Sequence, residues 1–388
     1  MTNPLSHTMQ PFDITGRMRV VFGEGSIRRV GELAAELGAR SVMIVSDPGL
    51  IEAGHFDVAK ESLQQQGIRV ESFHDFSDNP TSDMVDAGVR RAAEVKPDLL
   101  VGLGGGSSMD CCKGINFVYC CGGTIHDYRG VGKATTELLP MIAIPTTSGT
   151  GSEAQSFALI SDAKTHEKMP CGDPRAACKI AILDPNLTLT QPTGVTSLTG
   201  IDAISHAIET YVTRRRNPMS VTYSKRAFEL LSSGFSKVLL EPQNLAARTQ
   251  MQLGAHFAGM AIERSMLGAA HAVANPLTAR FNIIHGQAVG MMLPAVIRMN
   301  APVVGSLYAE LLQASGITAS PENAADRLAC RVTDWLIEAG MATKLSDLSI
   351  PTETFDRLTG DALTQWTGTF NPVPLRHDNV LGLYQSSL

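Results

Sequence analysis

Between residues 19 and 183, short apolar runs alternate with longer amphipathic stretches, and no other feature of the sequence constrains the fold as strongly. Arg19-Val20-Val21-Phe22 ends at Gly23-Glu24-Gly25. Helical spacing then runs from Ser26, a suitable N-cap, to Leu37, with Gly38 as the stop. Val42-Met43-Ile44-Val45 is apolar without interruption, as a strand buried on both faces must be. A helix over 53–66, a strand over 68–73, a helix over 82–95 and the strand Leu99-Leu100-Val101 continue the series. Met141-Ile142-Ala143-Ile144 and Ile180-Ala181-Ile182-Leu183 add two further strands. Strands alternating with helices of this length imply an open parallel α/β sheet.

Beyond Gln191 the strand-like runs cease, with Pro192 and Gly194 punctuating the change. Helical patterns follow over 196–213, 219–239, 244–274, 287–300, 303–315, 322–340 and 353–360. The expected organisation is an α/β domain over 1–190, opened by an irregular arm over 1–16, and an all-helical domain over 191–388. A chain of 388 residues is long enough for both.

With 44% hydrophobic and 18% charged residues, the composition is that of a globular protein and excludes a disordered one. A net charge of -6 gives no electrostatic reason to expect nucleic acid or an anionic membrane as partner. Arg214-Arg215-Arg216 is the one basic run and reads as a solvated face. The first ten residues lack an apolar core, and no run of about eighteen uninterrupted apolar residues occurs, so neither a leader nor a membrane span is expected. The seven cysteines include the adjacent pairs Cys111-Cys112 and Cys120-Cys121 rather than Cys-x-x-Cys spacing. They read as buried thiols in a reducing compartment, hence the cytoplasm.

Three loops after strands carry candidate chemistry. Gly102-Leu103-Gly104-Gly105-Gly106-Ser107-Ser108-Met109-Asp110 leads into a helix over 109–119. Its glycines admit close approach of backbone amides to a pyrophosphate, and the helix N-terminus adds a favourable dipole; a plain tight turn has the same composition. Pro145-Thr146-Thr147-Ser148-Gly149-Thr150-Gly151-Ser152-Glu153 supplies hydroxyl donors where open α/β sheets bind ligands, although solvated loops are also rich in Ser and Thr. Asp47, past strand 42–45, suits a ribose diol and repels a 2′-phosphate, which favours NAD over NADP; an Asp before Pro48 also suits a turn.

In the second half, Asp202 and His206 stand four apart in a helical segment, so both reach a common point on one face. Such neighbours also pair on helices without any metal. His271 lies in another helical run and His285 precedes Gly286. One carboxylate and three imidazoles suit a first-row divalent cation, Fe(II) or Zn(II), with a position left for substrate.

Taken together, these stretches resemble the iron-containing (group III) alcohol dehydrogenase family over nearly the whole chain. The resemblance rests on Val20-Val21-Phe22-Gly23, Asn79-Pro80-Thr81, Gly104-Gly105-Gly106-Ser107 with Asp110, and Pro145 to Glu153. It continues through Asp184-Pro185, Gly200-Ile201-Asp202-Ala203 with His206-Ala207-Ile208-Glu209, Ala258-Gly259-Met260-Ala261, His285-Gly286, Asn371-Pro372 and Tyr384. It implies a dinucleotide-binding N-terminal domain and a helical C-terminal domain, with nicotinamide and metal meeting in the cleft between them, and a homodimer. Asp202, His206, His271 and His285 fall on the family's metal-ligand positions. Asp47, Asn79, Gly104, Gly105, Gly106, Ser107, Asp110, Thr146, Thr147, Thr150 and Lys168 fall on the positions and loop that line its cofactor site.

The sequence departs from the family pattern at three places. Asn275-Pro276-Leu277-Thr278 stands where the family has His-Pro-Leu-Gly, which removes an imidazole relay and sends the proton out through water or the cofactor ribose. Arg280 replaces an aromatic residue and Arg264 a small polar one; both are candidates for holding a carboxylate, phosphonate or sulfonate. The expected activity is reversible NAD(H)-linked oxidation of an alcohol. The competing readings are a dehydroquinate-synthase-like NAD- and metal-dependent lyase, which shares the architecture, and a catalytically inactive nucleotide-binding protein.

Overall fold

The structure, a computed structural model, describes Gly16 and residues 18–388; the irregular arm expected over 1–16 lies, apart from Gly16, outside the described residues. The described chain divides into two compact units between Gln191 and Pro192.

The first unit contains strands β1 (Arg19–Phe22), β2 (Ser41–Ser46), β3 (Arg69–Phe73), β4 (Leu99–Gly104), β5 (Gly130–Val131), β6 (Met141–Pro145), β7 (Phe157–Ser161), β8 (Lys168–Gly172) and β9 (Ile180–Leu183). Its α-helices are α1 (Val30–Glu36), α2 (Pro48–Glu52), α3 (His55–Gln65), α4 (Ser82–Val95) and α5 (Gly106–Cys121). Six strands form one parallel sheet in the order β1-β9-β6-β4-β2-β3. The runs over 42–45, 99–103 and 141–144 are buried throughout, as a sheet covered on both faces requires. The helix expected over 53–66 is α3, which begins just after Gly54 in a left-handed conformation (φ 79°), with the short α2 preceding it.

β2, β4 and β6 are neighbours, with Ser46 beside Leu103 and Gly104 beside Pro145. The three loops singled out above therefore leave the carboxyl ends of three adjacent strands. The connections reverse direction across the sheet between β2 and β4, the place where open α/β sheets bind ligands.

A second, three-stranded sheet, β5-β8-β7, gave no clear signal in the sequence. β5 is two residues long, and β8 contains Pro170 and Gly172, both poor strand residues. Asp173, buried at the end of β8, accepts from the backbone N–H of Ala134 and Arg175 and from the Arg175 guanidinium at 2.9 and 3.0 Å. Burial alone would raise its carboxyl, but these donors outweigh burial and hold it below the ordinary carboxylate range. A depressed folded-state pKa stabilises the fold above the unfolded value of about 3.9 and loses that contribution as pH falls through the folded value. Asp173→Asn is therefore expected to cost about 2 kcal/mol in urea unfolding at pH 7. The gap between variant and wild type should narrow only as pH falls below the ordinary carboxylate range and through the lowered folded-state value.

The second unit is helical: α6 (Thr193–Val212), α7 (Pro218–Leu240), α8 (Leu245–Arg264), α9 (Ala269–Phe281), α10 (His285–Ala314), α11 (Pro321–Glu338), α12 (Phe355–Leu363) and α13 (His377–Ser386). The helix expected over 244–274 is instead α8 and α9, broken at Ser265 and Gly268, whose backbones leave helical geometry. The separate helices expected over 287–300 and 303–315 form one run, α10, kinked at Val304 two residues after Pro302. By length and composition α10 could cross a membrane. Its Val289, Met292, Leu293, Val296 and Ile297 are instead buried in the core of the helical unit.

Candidate active site

α6 is buried along most of its length from Gly200 to Val212. Asp202, His206 and Glu209 recur at i, i+4 and i+7 and so share a face. His271 stands in the first turn of α9, and His285 is the first residue of α10. Three chain segments thus bring their polar groups to one point. Ligand atoms of Asp202, His271 and His285 lie within 4.8 Å of one another, and His206 Nε2 is 3.4 Å from Asp202 Oδ1. Asp202 Oδ1 is 3.4 Å from His271 Nε2 and 3.8 Å from His285 Nε2. The rings of His206 and His271 stack with centroids 4.9 Å apart.

Asp202 Oδ1 and His271 Nε2 are buried, yet neither makes a hydrogen bond. Leaving two such atoms unsatisfied is costly, and a shared cation is the partner that suits an oxygen and an imidazole nitrogen aimed at one point. The electrostatics agree. Burial would raise the Asp202 carboxyl, but the imidazoles of His206, His271 and His285 hold it well below the usual carboxylate range. Burial would lower His271, but the carboxylates of Glu209 and Asp202 push it up to about 9. The cluster attracts positive charge. His285 has 28% of its side chain exposed against 4–7% for the other three, so access to the centre is on its side.

The residues present therefore fit a divalent metal. The second ring nitrogen of His271 is also engaged: Nδ1 lies 2.5 Å from Glu209 Oε2. In the sequence Glu209 stands only as part of the matching stretch His206-Ala207-Ile208-Glu209. Its place on the Asp202–His206 face is the signal that could have found it.

In the first unit the three loops pack against one another. A Cβ on Gly105 would sit 3.3 Å from Thr147 Cγ2, and one on Gly106 2.7 Å from Thr150 Cγ2, so side chains there would fill the space between the loops. Gly104 has φ 146°, open to glycine alone. Asp47 Oδ2 accepts from Ser108 Oγ at 3.4 Å, and Ser107 Oγ accepts from the Asn79 backbone N–H at 3.3 Å. Thr146 donates its N–H to the Gly104 carbonyl at 3.0 Å. Asp110 accepts from Ser152 Oγ at 2.7 Å, and loss of solvent pushes its carboxyl up against the opposing charges of Lys113 and Lys168, the first residue of β8. Asp47, Asn79, the glycines, Ser107, Asp110 and the threonine loop are thus one connected surface at the carboxyl ends of β2, β4 and β6.

The departures from the family pattern are placed as follows. Asn275 lies one turn beyond His271 on the same face of α9 and donates Nδ2 to Gln365 Oε1 at 2.9 Å. Arg280 is nine residues beyond His271, which on a helix is the opposite face, and is paired with Asp361. Arg264 ends α8, its carbonyl accepting from Asn217 Nδ2 at 2.6 Å.

A glycine- and threonine-rich surface at the carboxyl ends of a parallel sheet and a buried carboxylate–imidazole cluster on helices fit a nucleotide- and metal-dependent enzyme. Residues 18–185 match the model of the iron-containing alcohol dehydrogenase family, and residues 196–388 match that of its C-terminal domain. Alcohol dehydrogenase 4 of Schizosaccharomyces pombe is 31% identical over 370 residues, covering 95% of this chain and 87% of the relative. A crystal structure of 1,3-propanediol oxidoreductase superposes with a TM-score of 0.92 at 28% identity, covering 95% of this chain and 98% of that one. Sulfoacetaldehyde reductase from Bifidobacterium kashiwanohense, in complex with NAD+, superposes with a TM-score of 0.88 at 27% identity, covering 97% and 99%. The chain belongs to the iron-containing alcohol dehydrogenase family. It is a metal-dependent, NAD-linked alcohol dehydrogenase acting on small alcohols or aldehydes.

Proposed function

We propose that this enzyme interconverts small neutral alcohols and their aldehydes or ketones, with Asp202, His206, His271 and His285 holding Fe(II) or Zn(II). The observation that carries the ligand assignment is the pair of buried, unsatisfied atoms Asp202 Oδ1 and His271 Nε2, aimed at one point. When bound, the cation supplies Lewis acidity that lowers the pKa of an alcohol, and the nicotinamide supplies the hydride acceptor. A single carboxylate among three neutral imidazoles offsets only half the charge of a dication, which leaves the centre suited to a negatively charged oxygen.

The glycine loop and the Thr146–Thr150 loop orient the dinucleotide, and Asp47 favours a free ribose diol and hence NAD. Asn275 donates to Gln365 and serves as no proton relay, because an amide is neither an acid nor a base near neutral pH. Arg280 is committed to Asp361 on the face away from His271, which supports neutral substrates over anionic ones. The proposed location is the cytoplasm, in keeping with seven free thiols, and the proposed assembly is a two-fold homodimer, the commonest closed arrangement.

A panel of short alcohols, diols and a sulfonated alcohol, assayed with NAD and NADP on metal-stripped, Fe(II)-loaded and Zn(II)-loaded protein, tests this reading. NADH is expected from neutral alcohols only when metal is present. Oxidation of the sulfonated alcohol alone contradicts the substrate assignment, and turnover unaffected by stripping contradicts the metal.

A further inference from the structure

We propose that Glu209 is a positioning residue that sets metal affinity by fixing both the ring of His271 and the helix that carries it. The inference rests on the metal reading of the Asp202 cluster. Helix α9 starts at Ala269 after Gly268, which has no side chain to cap it. Its first free N–H groups are satisfied from elsewhere in the helical unit. Ala270 N–H donates to Glu209 Oε1 at 2.6 Å, and Ala269 N–H to Asn371 Oδ1 at 3.2 Å. A carboxylate is well placed at a helix N-terminus, where the dipole favours negative charge. The other oxygen of Glu209, Oε2, lies 2.5 Å from His271 Nδ1. One buried carboxylate from α6 therefore anchors the α9 backbone and the α9 imidazole together.

The consequence is chemical as well as mechanical. With Nδ1–H donated to Glu209, the neutral ring leaves Nε2 bare and aimed at Asp202, the form that can bind a cation. Glycine at 268 belongs to the same arrangement, since a Cβ there would stand 3.0 Å from Asn371 Oδ1 and 3.1 Å from Glu209 Oε1. Asn371 supplies the comparison. It caps the same helix turn, pairs reciprocally with Asn300 of α10 at 3.0 and 2.8 Å, and is not hydrogen-bonded to His271.

Glu209→Gln keeps an acceptor for Ala270 N–H but turns a donor toward Nδ1, which forces the proton onto Nε2. Zn(II) affinity of the metal-stripped full chain, measured by competition with a chromophoric chelator, is expected to fall by ~10–100-fold. The unfolding temperature of the metal-free protein should change little. Asn371→Ala is expected to do the reverse, lowering the metal-free unfolding temperature while leaving Zn(II) affinity within about threefold of wild type. Unchanged affinity in Glu209→Gln overturns the proposal, as does an equal loss in Asn371→Ala, which would make Glu209 a helix cap and nothing more. Should Glu209→Gln fail to fold, Glu209→Asp, which withdraws the carboxylate from the ring, carries the same test, and full affinity there overturns it. Wild-type protein that binds no Zn(II) at all refutes the metal reading instead.

Discussion

Asp202→Ala is expected to emerge from purification without metal and to lose about 10⁴-fold in kcat/KM. The figure corresponds to the ~5–6 kcal/mol that Lewis-acid activation of an alcohol contributes, at 1.36 kcal/mol per decade. Asp202 is the one carboxylate among the four candidate ligands, and its Oδ1 is the atom around which the three imidazoles gather at 3.4–3.8 Å. Asp202→Asn separates charge from shape. It keeps an oxygen near that place but removes the negative charge that draws a cation into a buried cluster, so it should behave much like the alanine variant. Metal analysis and steady-state kinetics on both variants check this. Full metal occupancy and turnover in Asp202→Ala would remove the ligand assignment.

The second large effect is expected at Gly286, which is not itself a candidate ligand but follows His285 in the first turn of α10. A Cβ there would overlap the backbone carbonyl of Leu198 on α6, whose carbon would be only 2.8 Å away. Backbone does not rotate aside as a side-chain tip does, so the first turn of α10 must move, and His285 moves with it. Overpacking of this kind costs about 2–3 kcal/mol in stability. A displacement of about 1 Å at a reacting centre costs ~100-fold in rate. Gly286→Ala should therefore show a lowered unfolding temperature and a kcat/KM reduced ~100-fold. Wild-type values would mean that α6 and α10 do not fix His285 as described.

These cases show what the sequence discloses and what it withholds. The strands of the main sheet were legible because burial on both faces leaves uninterrupted runs such as Val42–Val45 and Ile180–Leu183. The β5-β8-β7 sheet was not, because Pro170 and Gly172 obscure a strand that tertiary pairing with Leu159 and Phe157 stabilises. Asp202 and His206 could be read as a pair from helical periodicity alone. Their meeting with His271 and His285 could not, since it depends on how α6, α9 and α10 pack. The break between α8 and α9 was missed because its cause is distant in sequence: Glu209 and Asn371 satisfy the new helix start. Arg280 drew attention as an unusual cation, but its partner, Asp361, lies 81 residues away on another helix.

The central claim is that one aspartate and three histidines from α6, α9 and α10 bind a single cation. X-ray absorption spectroscopy of wild-type protein reconstituted with one equivalent of Zn(II) tests it most directly, with His206→Ala and His271→Ala as companions. The expected spectrum shows only nitrogen and oxygen neighbours, with multiple scattering from three imidazoles in wild type and a loss of one imidazole or of the metal in each variant. A sulfur neighbour, or an imidazole count that neither variant alters, would place the cation elsewhere and contradict the account.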